Sequence, residues 1–342
     1  MATPDFQLFT SLRYDPLLAT LPDNTASWPN IVEQSTKPNC SPFYMVSFHR
    51  DRILKAAEHF DWTTAVSKVR GPEGFSFFLA KLHEVINSTS PSPLRVRVLL
   101  SHEGNITVES SSTPKVSQRS LFPRRIPPPR GQAKKVEVSP LTGGALTLGS
   151  GDALHGDPDI EPIWEIFPDS ARTQPSPYTT YKTTSRDMYN AARERVGIKD
   201  MTEKKEVLII SAVDGEVMEG SLTSVFFWRD GRWVTPILKS GGQDGTTRRW
   251  ALEEGLCSEG VVKVESLQEG EECWISNGVR GFNLGKLNTI LVIFINLLPK
   301  LSRDILATSF EIPAKTKEKT TLSSLSSLAW PSPTLVSMSQ TM

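Results

Sequence analysis

The chain has 342 residues, enough for one large domain or two of medium size with a sizeable core. Lysine and arginine together number 38, as do aspartate and glutamate, so no general attraction to nucleic acid or to a membrane surface is expected. Three widely separated cysteines (Cys40, Cys257 and Cys273) provide neither a disulfide framework nor metal-ligand spacing. With no secretion signal visible at its start, the chain is predicted to be cytoplasmic, with no bound metal.

The first part of the chain mixes strand and helix patterns. The predicted elements are a strand over 6–14, a loop-rich segment over 16–42, an apolar run over 43–48, a helix that opens at His49, a helix over 74–86, and strands over 94–100 and 106–108. The helix at His49 has an inward stripe of Ile53, Ala56, Ala57 and Phe60. This half is therefore predicted to be α+β.

A change of composition follows. Residues 110–131 contain Ser110–Ser112, Pro127–Pro129 and the arginines Arg124, Arg125 and Arg130. This composition predicts a long surface loop, with a partner-docking proline motif as the alternative. Residues 140–161 are rich in glycine and aspartate and predict no regular element.

The second half is more regular. It is predicted to contain strands over 207–213, 216–219, 222–228 and 233–234, a helix from Thr246 to near Gly255, short strands over 261–264 and 273–275, and a turn at 276–278. The dipeptides Asp214-Gly215 and Asp230-Gly231 are typical hairpin turns. This half is predicted to be a hairpin-rich sheet with helices at its margins.

A lysine precedes a helix pattern near the middle of the chain. Lys182 lies in the stretch 181–187, and Met188, Tyr189, Ala192 and Val196 then form one apolar helix face that stops at Gly197. Thr184 and Asp187 are spaced like a capping box, which places Lys182 next to the positive end of the helix dipole. That position favours a neutral amine, the form that Schiff-base chemistry needs. A solvated surface lysine is the alternative.

Two further features suit a phosphorylated, cationic ligand. Gly245-Thr246-Thr247 at a helix start offers backbone N–H groups and hydroxyls to a phosphate, although a plain capped helix has the same pattern. Glu219 follows a strand and could pair with a ligand cation, or could be a surface carboxylate. A lysine, a carboxylate and a phosphate cradle together are what pyridoxal phosphate requires.

Four motifs in this order resemble those of the class IV aminotransferase family, the fold-type IV pyridoxal-phosphate enzymes. They are Tyr-Lys-Thr-Thr-Ser-Arg-Asp at 181–187, Val-Met-Glu-Gly-Ser-Leu-Thr-Ser-Val-Phe at 217–226, Gly-Thr-Thr-Arg at 245–248 and Ser-Asn-Gly-Val-Arg-Gly at 276–281. The Lys-Thr-Thr-x-Arg-Asp form and the preceding Asp169, Thr173 and Tyr181 are most similar to fungal aminodeoxychorismate lyases. Residues 9–14 and 49–53 resemble the family's opening strand and first helix start.

The resemblance implies an α+β, two-domain, fold-type IV architecture with the cofactor at the domain interface. It implies an N-terminal domain over 1–165 that carries the proline-rich insertion at 110–131, and a C-terminal cofactor-binding domain over 175–287. Residues 288–342 fall outside the family pattern. Because they are rich in serine and proline after a short apolar run, this tail is predicted to be disordered.

The resemblance also implies roles for individual residues. Lys182 is expected to bind the cofactor aldehyde and to shuttle protons, and Glu219 to pair with the pyridine nitrogen. Arg52, Thr246 and Thr247 are expected to hold the phosphate. The implied reaction releases pyruvate from 4-amino-4-deoxychorismate, a small-molecule substrate, and gives p-aminobenzoate for folate synthesis. Family members are usually homodimers, so a homodimer is expected.

Two other functions stay open on the sequence. One is a branched-chain or D-amino-acid aminotransferase, whose pocket for an α-carboxylate has Arg13, Arg124, Arg125 and Arg280 as unranked candidates. The other is a non-catalytic scaffold that keeps the fold. Ser224 replaces an asparagine common in the family, which puts its contact in question. Whether Thr10 or Ser11 assists proton transfer is also open.

Overall fold

Two β-sheets organise the structure. A computed structural model describes residues 5–21, 24, 41–86, 90–130 and 163–289. These all lie in one compact unit, residues 1–297, whereas a second unit, residues 298–342, falls outside the described residues. The predicted disordered tail therefore lies outside the described residues almost entirely, as do residues 131–162.

The first sheet is small and antiparallel, with helices against one face. Its strands are β1 (Leu8–Tyr14), β2 (Leu94–Leu100) and β3 (Ile106–Ser112), in that order, and its helices are α1 (Val46–His59), α2 (Thr63–Val69) and α3 (Gly71–Val85). The predicted inward stripe of α1 is confirmed, because Ile53, Ala56 and Ala57 are buried and Phe60 packs against the same core. Burial of these side chains with Leu12 and Val96 joins the helices to the sheet.

The second sheet has eight strands and supplies most of the C-terminal half. Its strands are β4 (Trp164–Pro168), β5 (Lys205–Ile210), β6 (Val217–Gly220), β7 (Ser224–Arg229), β8 (Arg232–Pro236), β9 (Ser258–Gly260), β10 (Glu272–Asn277) and β11 (Gly281–Leu287). The order is β6-β5-β4-β11-β10-β7-β8-β9. Strand β4 runs parallel to both of its neighbours and β9 runs parallel to β8, while the other pairs are antiparallel.

Four short helices accompany this sheet. They are α4 (Gln118–Leu121), α5 (Pro177–Thr180), α6 (Asp187–Arg195) and α7 (Thr246–Glu253). The end of α6 is tied to the end of β4 because Arg195 donates two hydrogen bonds, of 2.7 and 2.6 Å, to the buried carboxylate of Asp169. Bidentate pairs of this kind fix both distance and orientation. Among the described residues, no helix is long and apolar enough to cross a membrane.

Several predicted boundaries were wrong. Helix α1 begins at Val46, three residues before the predicted start at His49, and so includes the end of the apolar run 43–48. The predicted strand over 261–264 is absent, since β9 ends at Gly260. Strand β4 and helix α2 were not predicted. Both are short, and α2 is rich in β-branched residues, so packing rather than local propensity must stabilise it.

The proline-rich segment is only in part the exposed loop that its composition predicts. Strand β3 extends through Ser112, and Leu121, Phe122 and Ile126 are buried in a core cluster with Trp233 and Trp250. The Trp233 indole N–H also lies 3.0 Å from the carbonyl oxygen of Ile126, a hydrogen-bond distance. The described part of this segment therefore covers the second sheet rather than standing free.

Strand β1 connects the two sheets. One of its edges pairs with β2, and the other edge bonds to loops of the C-terminal half. The Phe9 N–H donates to the Lys182 carbonyl at 3.0 Å, the Thr184 N–H donates to the Gln7 carbonyl at 2.8 Å, and the Arg13 N–H donates to the Gly278 carbonyl at 2.9 Å. These bonds fix Lys182 against a strand that is far away in sequence.

Candidate active site

A cavity of about 450 Å³ lies between the two sheets. All five residues predicted from the sequence line it: Arg52, Lys182, Glu219, Thr246 and Thr247. They come from α1, from the loop before α6, from β6 and from the start of α7. The structure thus brings together residues up to 195 positions apart in the chain, while their individual roles stay predictions.

Lys182 lies in the wall of the cavity, with its ammonium nitrogen 5.2 Å from the centre of the Phe9 ring. Burial lowers the pKa of Lys182 well below its usual value, and the nearby guanidinium groups of Arg186 and Arg52 lower this pKa further. The neutral amine is therefore favoured, as expected from the sequence, but the cause is burial and neighbouring cations rather than the helix dipole.

The predicted capping box is wrong. Helix α6 begins at Asp187 with Arg186 as its N-cap and no side-chain cap hydrogen bond. The hydroxyl of Thr184 instead accepts a hydrogen bond from the Gln7 N–H at 2.9 Å. The threonine therefore fixes the lysine loop to β1, which the local spacing of Thr184 and Asp187 could not reveal.

Glu219 is a buried carboxylate, 7% exposed. The Tyr189 hydroxyl lies 2.5 Å from its Oε1 atom, and the Gln243 side-chain nitrogen donates to the same oxygen at 3.3 Å. Burial raises the pKa of Glu219 to about 7, although Tyr189, Lys182 and Arg186 all act in the opposite direction. The sequence placed Tyr189 only on an apolar helix face, so its contact with Glu219 was missed.

Arg52 has one N–H donor without an acceptor among the described residues. One of its terminal nitrogens donates to the Thr10 hydroxyl, whereas its Nε atom is buried without a hydrogen-bond partner among the described residues. The Thr10 oxygen is also 2.6 Å from Nδ1 of the buried His49. Thr10 is thereby engaged in holding Arg52, and Ser11 is the residue of this pair that lines the cavity.

The start of α7 forms the other side of the same corner. Thr246 and Thr247 are buried, and the Thr247 hydroxyl lies 2.7 Å from that of Ser276. The first N–H groups of a helix have no partners within it. At Gly245, a Cβ atom would lie 2.3 Å from the Ser224 hydroxyl oxygen, so Ser224 sits directly behind the glycine.

This corner fits a phosphate group. An unsatisfied buried guanidinium N–H, the N-terminus of an eight-residue helix and two threonine hydroxyls all favour a small dianion. The amine of Lys182 and the carboxylate of Glu219 lie in the same cavity. The described residues therefore fit pyridoxal phosphate: a phosphate corner, an amine for its aldehyde and a carboxylate for its ring nitrogen.

A second buried carboxylate, which the sequence did not reveal, supports the turn after Glu219. Glu206 on β5 is 1% exposed and accepts hydrogen bonds from the Ser221 N–H and hydroxyl, at 2.9 and 2.6 Å. It also accepts from the Leu222 N–H at 3.1 Å and from the Thr223 hydroxyl at 2.9 Å. Because Ser221, Leu222 and Thr223 line the cavity, Glu206 shapes its wall from behind.

Arginines are most of the charged side chains that line the cavity. The described lining includes six arginines and Lys182 but only one carboxylate, Glu219; the arginines are Arg52, Arg95, Arg97, Arg186, Arg193 and Arg280. Among the described residues, the side chain of Arg95 has no hydrogen-bond or ion-pair partner, and burial lowers its pKa. Alternation along β2 places Arg95 and Arg97 on one face, a signal that was present in the sequence but was read only as a half-buried strand.

Of the four arginines considered for a carboxylate, only Arg280 lines the cavity. Arg13 is fully buried in an ion pair with Asp15 at 2.8 Å. Arg124 and Arg125 do not line the cavity.

Comparison with known proteins agrees with this geometry. Residues 38–283 match the family described as amino-transferase class IV. Aminodeoxychorismate lyase of Saccharomyces cerevisiae is 28% identical over 275 residues, 72% of this chain and 68% of that protein. A Schizosaccharomyces pombe protein assigned the same name is 32% identical over 111 residues, 32% of this chain and 47% of that protein.

A solved structure also shares the fold. A Mesorhizobium loti protein assigned as an amino-acid aminotransferase aligns with a TM-score of 0.54 and 18% identity, over 83% of this chain and all of that chain. The fold-type IV architecture expected from the motifs is thereby confirmed, whereas its division into two domains stays a prediction. The boundary between 1–165 and 175–287 stays a prediction.

The first prediction concerns Glu206. Replacing Glu206 by glutamine puts an NH2 group against N–H and O–H donors, so we expect Glu206→Gln to lower the free energy of unfolding by about 3 kcal/mol. Urea unfolding measures this. Glu165→Gln, an exposed change on the adjacent strand, is the control and should cost less than about 0.5 kcal/mol. Equal effects of the two variants would contradict a supporting role for Glu206.

The second prediction concerns Glu219. Its pKa is raised in the folded state, so the folded protein holds an extra proton between about pH 4.5 and 7, and stability falls as pH rises through that interval. Glu219→Gln removes this loss. In the cofactor-free protein, we therefore compare the free energy of unfolding of the variant minus that of wild type at two pH values. We expect this difference to be higher at pH 8 than at pH 5, by about 1–3 kcal/mol.

Urea unfolding of the cofactor-free protein at both pH values provides the measurement. Glu253→Gln, an exposed change on α7, is the control, and its difference from wild type should be the same at both pH values. A pH-independent effect of Glu219→Gln would show that burial of Glu219 does not raise its pKa.

Proposed function

Because this chain belongs to the class IV aminotransferase family, whose members use pyridoxal phosphate, we propose that it is a 4-amino-4-deoxychorismate lyase. The reaction releases pyruvate and yields p-aminobenzoate, a folate precursor. Two relatives that carry the lyase name support the proposal. The observation that carries it is the excess of arginine in the cavity wall. The homodimer and the cytoplasmic location are proposed with it.

The arginine excess distinguishes between substrates. Beyond Arg52 in the phosphate corner, five arginines line the cavity: Arg95, Arg97, Arg186, Arg193 and Arg280. Arg97 pairs with Glu109 at 3.2 Å, and Arg186, Arg193 and Arg280 donate to uncharged oxygens, so only one carboxylate offsets the charge of these five among the described residues. Aminodeoxychorismate carries two carboxylates, whereas a branched-chain amino acid carries one carboxylate and an apolar side chain. A wall with this excess of positive charge suits the dicarboxylate, because bound carboxylates offset the repulsion between neighbouring guanidinium groups such as Arg95 and Arg280.

Each residue of the site has a definite task in this proposal. Arg52, Thr246 and Thr247 hold the phosphate, and Glu219 holds the ring nitrogen. Pyridoxal phosphate, when bound, supplies an electron sink for negative charge that develops on the substrate carbon bearing the amino group. Lys182 Nζ holds the cofactor aldehyde in the resting enzyme, and its lowered pKa lets the free amine accept a proton from that carbon and return one to the departing enolpyruvyl group.

The cavity wall orients the substrate. Arg95 and Arg97 on β2 and Arg280 near β11 all line the cavity, so more than one cation is available to a substrate with two carboxylates. The Arg97 guanidinium is fixed by the Phe9 ring at 4.9 Å and the Arg280 guanidinium by the Trp164 ring at 5.1 Å. Rigid cations of this kind reduce the entropy lost when the substrate binds.

The third prediction tests the cofactor and its lysine. Purified protein with pyridoxal phosphate should show an absorbance band that borohydride makes permanent, and Lys182→Ala should lack that band. Lys239→Ala, an exposed change, should retain it. Adding aminodeoxychorismate to wild type should release pyruvate and p-aminobenzoate.

The possible outcomes separate the candidate functions. Amino-group transfer between amino acids and 2-oxo acids, with no pyruvate from aminodeoxychorismate, would identify an aminotransferase. The absence of any band in folded wild-type protein would leave a non-catalytic scaffold.

The fourth prediction tests the arginine wall. Removing Arg95 should weaken the hold on a substrate carboxylate, so we expect Arg95→Ala to raise KM for aminodeoxychorismate about tenfold or more, since a charge-assisted hydrogen bond contributes about 1.5–3 kcal/mol. Binding of pyridoxal phosphate should not change. Arg232→Ala, an exposed arginine on β8, is the matched control. An unchanged KM for Arg95→Ala would remove Arg95 from the substrate site.

A further inference from the structure

Tyr189 has one hydroxyl hydrogen and two acceptors within reach. Its oxygen lies 2.5 Å from Glu219 Oε1 and 3.2 Å from the carbonyl oxygen of Thr179. The Gln243 side-chain nitrogen donates to the Tyr189 oxygen at 3.1 Å. Tyr189 is 1% exposed, and Glu219 and Gln243 are each 7% exposed, so water does not compete freely for these atoms. The contacts therefore need a definite arrangement of hydrogens.

Two arrangements of hydrogens are compatible with these four contacts. When Glu219 is ionised, the Tyr189 hydroxyl donates to Glu219 Oε1, and the Gln243 side-chain nitrogen donates to the Tyr189 oxygen and to Glu219 Oε1. When Oε1 carries a proton, that proton is donated to the Tyr189 oxygen, and the Tyr189 hydrogen turns to the Thr179 carbonyl. Only Glu219 gains or loses a proton, because the phenol keeps its own hydrogen in both arrangements. The heavy atoms need not move.

We propose that Tyr189 is a positioning residue that holds the Glu219 carboxyl group in one place in both of its protonation states. The role rests on the proposed function, in which Glu219 faces the ring nitrogen of the cofactor. A carboxyl group held in this way can carry a proton in the free enzyme and pass it to a basic ring nitrogen without reorganising the site. The proton would leave Glu219 for that nitrogen, and Tyr189 would then donate to the carboxylate that remains.

The surroundings of Glu219 make both states accessible. Lys182 and Arg186, from the segment before α6, favour the ionised form, and the charge of Arg52 on α1 also interacts with Glu219. Burial disfavours the ionised form and is the strongest influence. The Arg186 guanidinium lies 4.1 Å from the centre of the Tyr189 ring and holds the ring in place. Tyr189 is thus fixed on one side by a cation and on the other by hydrogen bonds.

The test measures the pKa of Glu219 in the cofactor-free protein. Carboxyl ¹³C NMR of glutamate-labelled protein follows the titration, and Glu219→Gln identifies the resonance. Tyr189→Phe keeps the ring but removes the donor to the ionised carboxylate, so the pKa of Glu219 should rise by about one unit, a tenfold higher proton affinity. Tyr178→Phe, a partly exposed tyrosine outside these contacts, should leave it unchanged.

A second variant and a cofactor titration complete the test. Gln243→Leu removes the other side-chain donor and should also raise the pKa of Glu219, so the test survives if Tyr189→Phe does not fold. In absorbance titrations with pyridoxal phosphate at pH 8, Tyr189→Phe should bind about tenfold more weakly than wild type. In the Glu219→Gln background the same change should have little further effect.

Opposite results have clear meanings. A Tyr189→Phe variant that is less stable but has an unchanged Glu219 pKa would show a packing role only and would overturn the proposal. Equal losses of cofactor affinity in the wild-type and Glu219→Gln backgrounds would do the same. If wild type bound no pyridoxal phosphate while the Glu219 pKa still shifted in Tyr189→Phe, the proposed function would fail and the positioning role of Tyr189 would stand.

Discussion

The burial of an amine and a carboxyl group in one cavity is the constraint on which the rest of this structure depends. Lys182 and Glu219 are each forced toward the neutral form by desolvation. The surrounding cations favour the ionised form of Glu219 but push Lys182 further toward the neutral amine, which Glu219 alone opposes among the described groups. Burying an ionised group without a compensating partner costs on the order of several kcal/mol of folding free energy. The fold therefore needs fixed partners for both groups before any ligand binds, and those partners define the site.

Most of these partners are held by elements distant in sequence. The lysine loop is bonded along β1, and the turn after Glu219 is bonded to Glu206 on β5. The helix that carries Tyr189 is tied at its other end through Arg195 to Asp169. Each connection uses charge-assisted or backbone hydrogen bonds with little freedom of orientation. The result is a cavity whose polar atoms are positioned by two sheets rather than by one flexible loop.

The charge balance of the cavity links this architecture to function. The whole chain is formally neutral, yet the described cavity lining has seven basic side chains and one acidic side chain. A local excess of this size focuses potential on a small volume and selects anionic ligands. A phosphate accounts for one part of the excess, and the remaining arginines are the structural reason for favouring a dicarboxylate substrate over a neutral amino acid.

The sequence by itself determined the α+β class, the hairpins of the second half, the apolar stripe of α1 and the five residues that meet in the cavity. The first three features follow from short-range periodicity and turn chemistry, which are local in the chain. The five residues together are what the resemblance of its motifs to a known family implied. Only the tertiary structure decided that Thr184 bonds to Gln7 instead of capping α6, and that the proline-rich segment packs its apolar residues inward. It also revealed the hydrogen bonds of Tyr189 to Glu219 and of Ser221 to Glu206, whose partners lie 30 and 15 residues apart in the chain. A hydrogen bond depends on proximity in space, not on separation in sequence. No local pattern encodes such a contact.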